Sequence, residues 1–148
     1  MAHDTLLLMG AVFIVAATPL LEIWIAIPLG LAMGLDPVLT AIAAVLGNFI
    51  PLLIIVGFFE KVRTWYESRY PDGGGSKGLE KFRRIWDRYG LPVAALSAPA
   101  SIGTHLAIII ILMLGTDAKK SLAWMAFSII AWAIIVTPLA YYGIAHLG

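Results

Sequence analysis

The sequence predicts an all-α integral membrane protein, and three observations support this fold class. Of the 148 residues, 61% are hydrophobic and 13% are charged, so the chain lacks the polar surface that a soluble domain needs. Two apolar stretches, Val38–Val56 and Leu122–Tyr141, have the length of helices that cross a bilayer. Eight of the ten basic residues fall in one segment, Glu60–Gly90. We therefore expect a single membrane domain over residues 1–148.

The two halves of the sequence show the same order of segments. A shift of 81 positions aligns Gly34-Leu35-Asp36 with Gly115-Thr116-Asp117, and Ala26 with Ala107. In each half, a short apolar piece broken near a proline precedes a second short piece, a Gly-x-Asp turn and a long apolar helix. This order predicts repeat one over 5–58, a linker with interfacial helices over 59–90, and repeat two over 91–143. Chance similarity between Leu-, Ile- and Ala-rich segments is the alternative.

The short pieces leave two arrangements open. Thr5–Ala17 and Leu21–Met33 each reach roughly 20 Å as helix, which is too short for a hydrocarbon core of about 30 Å. Either a proline kinks one long spanning helix, or each pair of pieces forms a re-entrant hairpin with its tip at mid-membrane. The tips are then expected at Pro19 in the first half, and at Pro99 and Gly103 in the second.

The basic residues favour the hairpins. With hairpins each half crosses the membrane once, so the halves are inverted, and Lys119 and Lys120 share a side with the linker. We therefore expect two inverted repeats, each a re-entrant helical hairpin plus one transmembrane helix, joined by a cytoplasmic amphipathic linker. The protein would lie in the inner (plasma) membrane as a multi-pass protein, with residues 60–90 cytoplasmic and both termini outside.

The linker combines aromatic and basic residues. Its second helical segment, Gly78–Gly90, places five residues on one face: Leu79, Phe82, Ile85, Trp86 and Tyr89. This pattern is typical of helices at the lipid headgroups, so we expect membrane lipids and not nucleic acid as partners. The intervening Pro71–Gly78 is predicted as a flexible turn, and it lacks the spacing of a phosphate loop.

Glu22 interrupts the apolar segment Leu20–Gly34. A carboxylate in hydrocarbon costs about 3 kcal/mol or more, and such residues usually mark an ion or substrate path. Thr18 is expected to N-cap the second half-helix, which would place Glu22 where the helix dipole stabilises negative charge. Alternatively, Glu22 only satisfies backbone groups at the hairpin tip.

Other polar residues at membrane depth have similar alternatives. Asn48 follows Gly47, so its amide is expected to bond a backbone that approaches the glycine, as packing or as part of a path. His105 would pair with Glu22 as a proton relay, or be a hydrogen-bonded packing residue. Ser101 and Thr104 add hydroxyl groups beside it. The sequence shows no catalytic constellation, cofactor motif or metal-ligand spacing, and no cysteine, so we expect neither an enzyme nor a cofactor nor a metal site.

Two short motifs resemble those of the small multi-drug export protein family, which is distantly similar to DedA-type membrane proteins with paired re-entrant hairpins. The family motif E-L-R-G-A-I-P-L-G followed by G-N-x-x-P is matched at nine positions: Glu22, Ala26, Ile27, Pro28, Leu29, Gly30, Gly47, Asn48 and Pro51. A second motif, similar to P-x-P-G-T-G, is matched by Pro99, Gly103 and Thr104, and a lysine-serine pair by Lys120 and Ser121. The resemblance implies a membrane exporter.

Trp24 and Ile25 depart from that family pattern, which has arginine and glycine at these positions. An arginine at a hairpin tip would suit an anionic group, so its absence argues against phosphate or carboxylate recognition there. The ring face of Trp24 would instead suit a cation or an apolar ligand.

Three functions remain open on the residues alone. The first is a small secondary transporter with proton-coupled export of a small lipophilic or cationic compound through a midplane site between two re-entrant hairpins. In it Glu22 would bind the proton or the cation, His105 would assist, and Asn48 and Thr104 would line the path. The second is a DedA-like flippase for a lipid or lipid carrier, and the third is a non-transporting membrane assembly subunit. A homo-oligomer, in the simplest case a dimer, is expected under all three.

Overall fold

The computed structural model describes residues 2–71 and 77–147, and within these ranges the chain is all-helical, with no strand. The seven helices are α1 (Ala2–Ala17), α2 (Glu22–Ala32), α3 (Pro37–Gly57), α4 (Phe59–Arg69), α5 (Lys77–Ser101), α6 (Thr104–Met113) and α7 (Ala118–Leu147). The all-α prediction is confirmed. Residues 72–76 of the predicted turn Pro71–Gly78 lie outside the described residues, as does the side chain of Leu79, whereas Lys77 and Gly78 already belong to α5.

Two of the described helices are long and apolar enough to cross a membrane. They are α3, with 21 residues, and α7, over the 29 residues Ala118–His146. Apolar side chains remain exposed along both helices, for example Val38 in α3 and Ile134 in α7. A bilayer would cover such side chains, as expected for membrane-spanning helices. The second helix begins earlier and ends later than the predicted Leu122–Tyr141.

The chain divides into two compact units. The first comprises the described residues up to Ile50 and from Ile129 onward, and the second runs from Pro51 to Ser128.

In the first unit, α1 and α2 fold back on each other. They are joined by the four residues 18–21 and pack along their lengths. Two turns from the break, a Cβ added to Gly30 would lie 2.7 Å from Cγ2 of Val12 and 2.7 Å from Cγ2 of Thr40. The contact between Val12 and Gly30 identifies a helical hairpin instead of one kinked helix, because a kinked helix brings together only residues beside the kink.

The break between α1 and α2 contains Pro19, as predicted, but the prediction that Thr18 caps α2 is wrong. The Thr18 hydroxyl donates to the carbonyl oxygen of Ile14 at 2.9 Å, and no side chain caps α2. The hydroxyl is therefore used by the last turn of α1, a bond that threonine readily makes inside a helix. Helix α2 accordingly begins at Glu22, four residues after Thr18.

In the second unit, α4 and α5 both pack against α6. Helix α6 is buried over most of its length, while the linker contributes the buried side chains of Tyr66 and Phe82. Gly90, with φ 71° and ψ −165°, interrupts α5 and separates its linker part from its apolar part. Pro99, predicted at the second tip, lies inside α5, and the break falls at Ile102 and Gly103.

The two Gly-x-Asp turns have the same local structure at the predicted shift of 81 positions. Gly34 and Gly115 adopt φ of 80° and 83°, in the left-handed region that glycine reaches without strain. The residue after each glycine donates its N–H to the carbonyl five residues before it, at 3.0 and 3.4 Å. Each turn therefore ends its helix with a Schellman motif.

The aspartate of each turn then starts the following long helix. Asp36 Oδ1 accepts the N–H of Leu39 at 3.1 Å, and Asp117 Oδ1 accepts the N–H of Lys120 at 2.9 Å. Four residues after each aspartate, a hydroxyl donates to the aspartate carbonyl, from Thr40 at 2.9 Å and from Ser121 at 2.8 Å. The turns thus match in both their ending and their starting bonds.

Replacing Asp36 with alanine is expected to lower the free energy of unfolding by about 1 kcal/mol, because two N–H groups at the start of α3 lose their acceptor. Asp36→Asn retains a capping oxygen and should stay within a few tenths of a kcal/mol of the wild type. Thermal unfolding in detergent, followed by circular dichroism, compares the two variants. Equal stability of the alanine variant and the wild type would contradict the cap.

Candidate functional site

The carboxylate of Glu22 lies on the buried face of α2. Only 2% of the residue is exposed, and its neighbours on that face are apolar, namely Ile23, Ala26 and Ile27, with Gly30 further along. Burial of a carboxylate among apolar side chains is costly and is retained mainly where the charge has a use. Glu22 is the one acidic residue that is buried in the described part of the chain.

The backbone at Glu22 adopts a conformation that side chains disfavour. Its φ is 45°, and Leu20 in the same break has φ 76°. A left-handed conformation costs a residue other than glycine about 1–2 kcal/mol. Strained backbone of this kind concentrates at functional sites, where the surrounding structure holds it in place.

A glycine stands at the aligned position in the second half of the chain. The shift that superposes the Gly-x-Asp turns aligns Glu22 with Gly103, which has φ 85° and immediately precedes the short apolar helix α6. Glycine adopts a positive φ without strain, whereas Glu22 costs free energy in its backbone, so the backbone alone would favour a glycine at this position. A functional role for the Glu22 side chain stays a prediction.

Trp24 lies in the same first turn of α2 but on a different face, because residues two apart in a helix do not face each other. Its ring pairs with Trp132 of α7, with centroids 5.1 Å apart and planes inclined at 56°. Trp24 is 37% exposed, so the pair presents indole surface. Sequence reasoning selected Trp24 but missed Trp132, whose partner depends on how α7 packs and leaves no local signal.

Asn48 is fully buried in α3, beside a close approach of two backbones. A Cβ on the adjacent Gly47 would lie 2.9 Å from both Cα and C of Phe13 in α1, and nearer still to its carbonyl oxygen. The sequence predicted that Gly47 admits a backbone here. The backbone is that of α1 itself, within the helix and away from the break.

The remaining predicted site residues belong to the second unit. Thr104 and His105 are buried at the start of α6, and Thr104 Oγ1 lies 3.5 Å from His105 Nδ1. The Ser101 hydroxyl turns back to the carbonyl of Ala98, at 3.4 Å. The pairing of Glu22 with His105 stays a prediction. Within residues 2–71 and 77–147, no group of three or more histidine or acidic side chains is placed to hold a metal ion.

An apolar groove of about 490 Å³ also belongs to the first unit. It runs between α3 and α7, where Val38, Ile42 and Ile134 form much of its wall. Thr137 contributes the one hydroxyl to the lining, next to Pro138. The groove offers space for an apolar molecule and almost no polar surface.

Comparison with known proteins gives one match. The sequence profile of the family described as "Putative small multi-drug export protein" matches residues 22–135. The matched region begins at Glu22 and includes α2, α3, the linker, α6 and most of α7. No curated protein and no solved structure shows significant similarity to the chain.

Proposed function

Because the chain belongs to the small multi-drug export protein family, we propose that it is a secondary transporter that exports a small lipophilic or cationic compound in exchange for protons. Membership of an export family and two helices of spanning length support a membrane transporter. The observation that carries the finer proposal is the carboxylate of Glu22, buried and held in a left-handed backbone conformation.

Glu22 would be the coupling group. A carboxylate in an apolar environment is stabilised by either a bound proton or a bound cation. The two compete for the same carboxylate, because binding of one weakens binding of the other. Binding of a cationic compound would therefore release a proton, and protonation would release the compound. This competition is sufficient to couple export to proton entry.

The surroundings of the first unit support a lipophilic substrate. The indole pair of Trp24 and Trp132 offers ring faces, which attract organic cations. The groove between α3 and α7 would hold apolar substituents or lipid chains. We assign the indole pair to substrate binding and Glu22 to charge coupling, since the two lie on different faces of α2.

The membrane arrangement proposed for this mechanism keeps the hairpins re-entrant. Helix α2 has 11 residues, about 17 Å, and thus spans roughly half of the hydrocarbon core. The matching Gly-x-Asp turns support an inverted repeat, in which α3 and α7 each cross the membrane. The basic residues of segment 60–90, with Lys119 and Lys120, support a cytoplasmic linker and termini outside, as in an inner-membrane protein.

The experiment that tests this function is proton release on ligand addition. Purified protein in weakly buffered dodecyl maltoside is titrated with tetraphenylphosphonium, a lipophilic cation, while a pH indicator reports released protons. We expect up to about one proton per bound cation in the wild type and none in Glu22→Gln, because the amide cannot exchange a proton. Glu60→Gln, the same change at an exposed position of α4, is the control and should behave as the wild type.

Two outcomes would contradict the proposal. Unchanged proton release in Glu22→Gln would remove Glu22 from the coupling step. Absence of any ligand-linked proton change in the wild type, with all three proteins equally folded, would favour the non-transporting subunit.

A further inference from the structure

The second unit contains a cavity that the transport proposal does not use. It has a volume of about 220 Å³ and lies where α4, the linker part of α5 and the end of α6 meet. Apolar side chains line one part of it, those of Ile110 and Met113 in α6 and of Leu114 directly after this helix. The other part is polar and is formed by Tyr66, Glu67, Tyr70 and Arg83.

The charge available in this cavity is positive. Glu67 accepts a hydrogen bond from Nε of Arg63 at 3.0 Å, so its charge is already balanced by a side chain that does not line the cavity. Arg83 makes no salt bridge or hydrogen bond among the described residues. Within the described residues, no partner therefore takes up the donors or the charge of its guanidinium.

Two phenols lie beside this guanidinium. The rings of Tyr66 and Tyr70 are 5.0 Å apart, and only 4% of Tyr66 is exposed. Burial, and then the neighbouring Tyr70, raise the pKa of the Tyr66 phenol above its ordinary value, while Arg83 lowers it. The phenol thus stays protonated at neutral pH and can donate a hydrogen bond to an anion.

We propose that this cavity binds the phosphate group of an amphiphile. A guanidinium recognises phosphate through two parallel N–H bonds, and here Arg83 would supply them with the phenols of Tyr66 and Tyr70 as further donors. The apolar part of the ligand would lie against Ile110, Met113 and Leu114. The proposal does not rest on the transport function, because it uses no residue of the first unit.

The test measures binding of dihexanoylphosphatidic acid to the full chain in dodecyl maltoside by isothermal titration calorimetry. Arg83→Gln is expected to weaken binding roughly tenfold, since it removes a charge-assisted pair of hydrogen bonds. Arg84→Gln is the matched control, because Arg84 is the next residue, is also exposed, and directs its Nε to the carbonyl of Glu80 at 3.4 Å. It should change the affinity by less than about twofold.

A second variant, Tyr70→Phe, removes one donor from a partly exposed ring and is expected to weaken binding roughly threefold. It keeps the proposal testable if Arg83→Gln fails to fold. Equal weakening in the Arg83 and Arg84 variants would show attraction to general surface charge and overturn the proposal. The proposal is also overturned if the wild type binds neither phosphatidic acid nor inorganic phosphate.

Inorganic phosphate and dihexanoylphosphatidylcholine identify the source of the ligand. Competition by inorganic phosphate, with loss of that competition in Arg83→Gln, supports a soluble phosphate compound as the occupant. Binding of phosphatidic acid that neither inorganic phosphate nor the choline lipid displaces supports a lipid with an exposed phosphate. Displacement by the choline lipid with the same affinity in the wild type and in Arg83→Gln would mean that the acyl chains alone are bound, and would overturn recognition of phosphate.

Discussion

Gly47→Ala is expected to destabilise the protein by about 3 kcal/mol, the upper end of the usual cost of overpacking. The added Cβ would lie 2.9 Å from both Cα and C of Phe13, and nearer still to its carbonyl oxygen. These are backbone atoms of α1, so no side-chain rotation relieves the clash. The two helices must therefore separate at this point, which disturbs the packing around Asn48.

The matched control for this substitution is Gly10→Ala. Gly10 lies inside α1, and a Cβ there has nothing within 4 Å. Alanine is the better helix former, so this variant should gain up to about 1 kcal/mol. Thermal unfolding of both variants in one detergent therefore gives shifts of opposite sign. A Gly47→Ala protein that melts with the wild type would mean that α1 and α3 do not meet at this point.

Glu22→Gly is expected to lower export at least about tenfold without destabilising the fold. The substitution removes the carboxylate and also relieves the strain of φ 45°, which glycine adopts freely. Glu22→Gln removes the charge but keeps the strained backbone. We therefore expect both variants to be inactive, with the glycine variant more stable than the glutamine variant by about 1 kcal/mol.

Transport of tetraphenylphosphonium into proteoliposomes along an imposed pH gradient measures the first effect, and thermal unfolding measures the second. Activity close to that of the wild type in the glycine variant would contradict a coupling role for Glu22. A large loss of stability in both the glycine and the glutamine variant would instead indicate that the carboxylate stabilises the hairpin of α1 and α2.

The elements that sequence reasoning predicted well are those that depend on neighbouring residues. The Gly-x-Asp turns are an example, because the left-handed glycine and the capping aspartate act within a few residues of each other. The existence of the two long apolar helices α3 and α7 was predicted from the lengths of their apolar runs, although α7 extends beyond the predicted Leu122–Tyr141 at both ends.

Predictions differ from the structure where a side chain has more than one possible hydrogen-bond partner, or where a helix break has more than one possible position. Thr18 has the chemistry of an N-cap, but its hydroxyl bonds to Ile14 instead. Pro99 marks a tolerated position inside α5, since helix packing in membrane proteins lets a proline remain helical, and the required φ places the break at Gly103. The Trp24–Trp132 pair and the cavity around Arg83 join residues far apart in the chain, so no local sequence pattern predicted them.

A single buried acidic residue in the described chain would also limit the electrical cost of the proposed exchange. If Glu22 exchanges one proton for one monovalent cation, no net charge crosses the membrane, and the membrane voltage neither drives nor opposes the cycle. A dication would move one extra positive charge outward against an inside-negative potential, at about 2.3 kcal/mol per 100 mV. The voltage would therefore select monovalent compounds, even where the binding surfaces accept both.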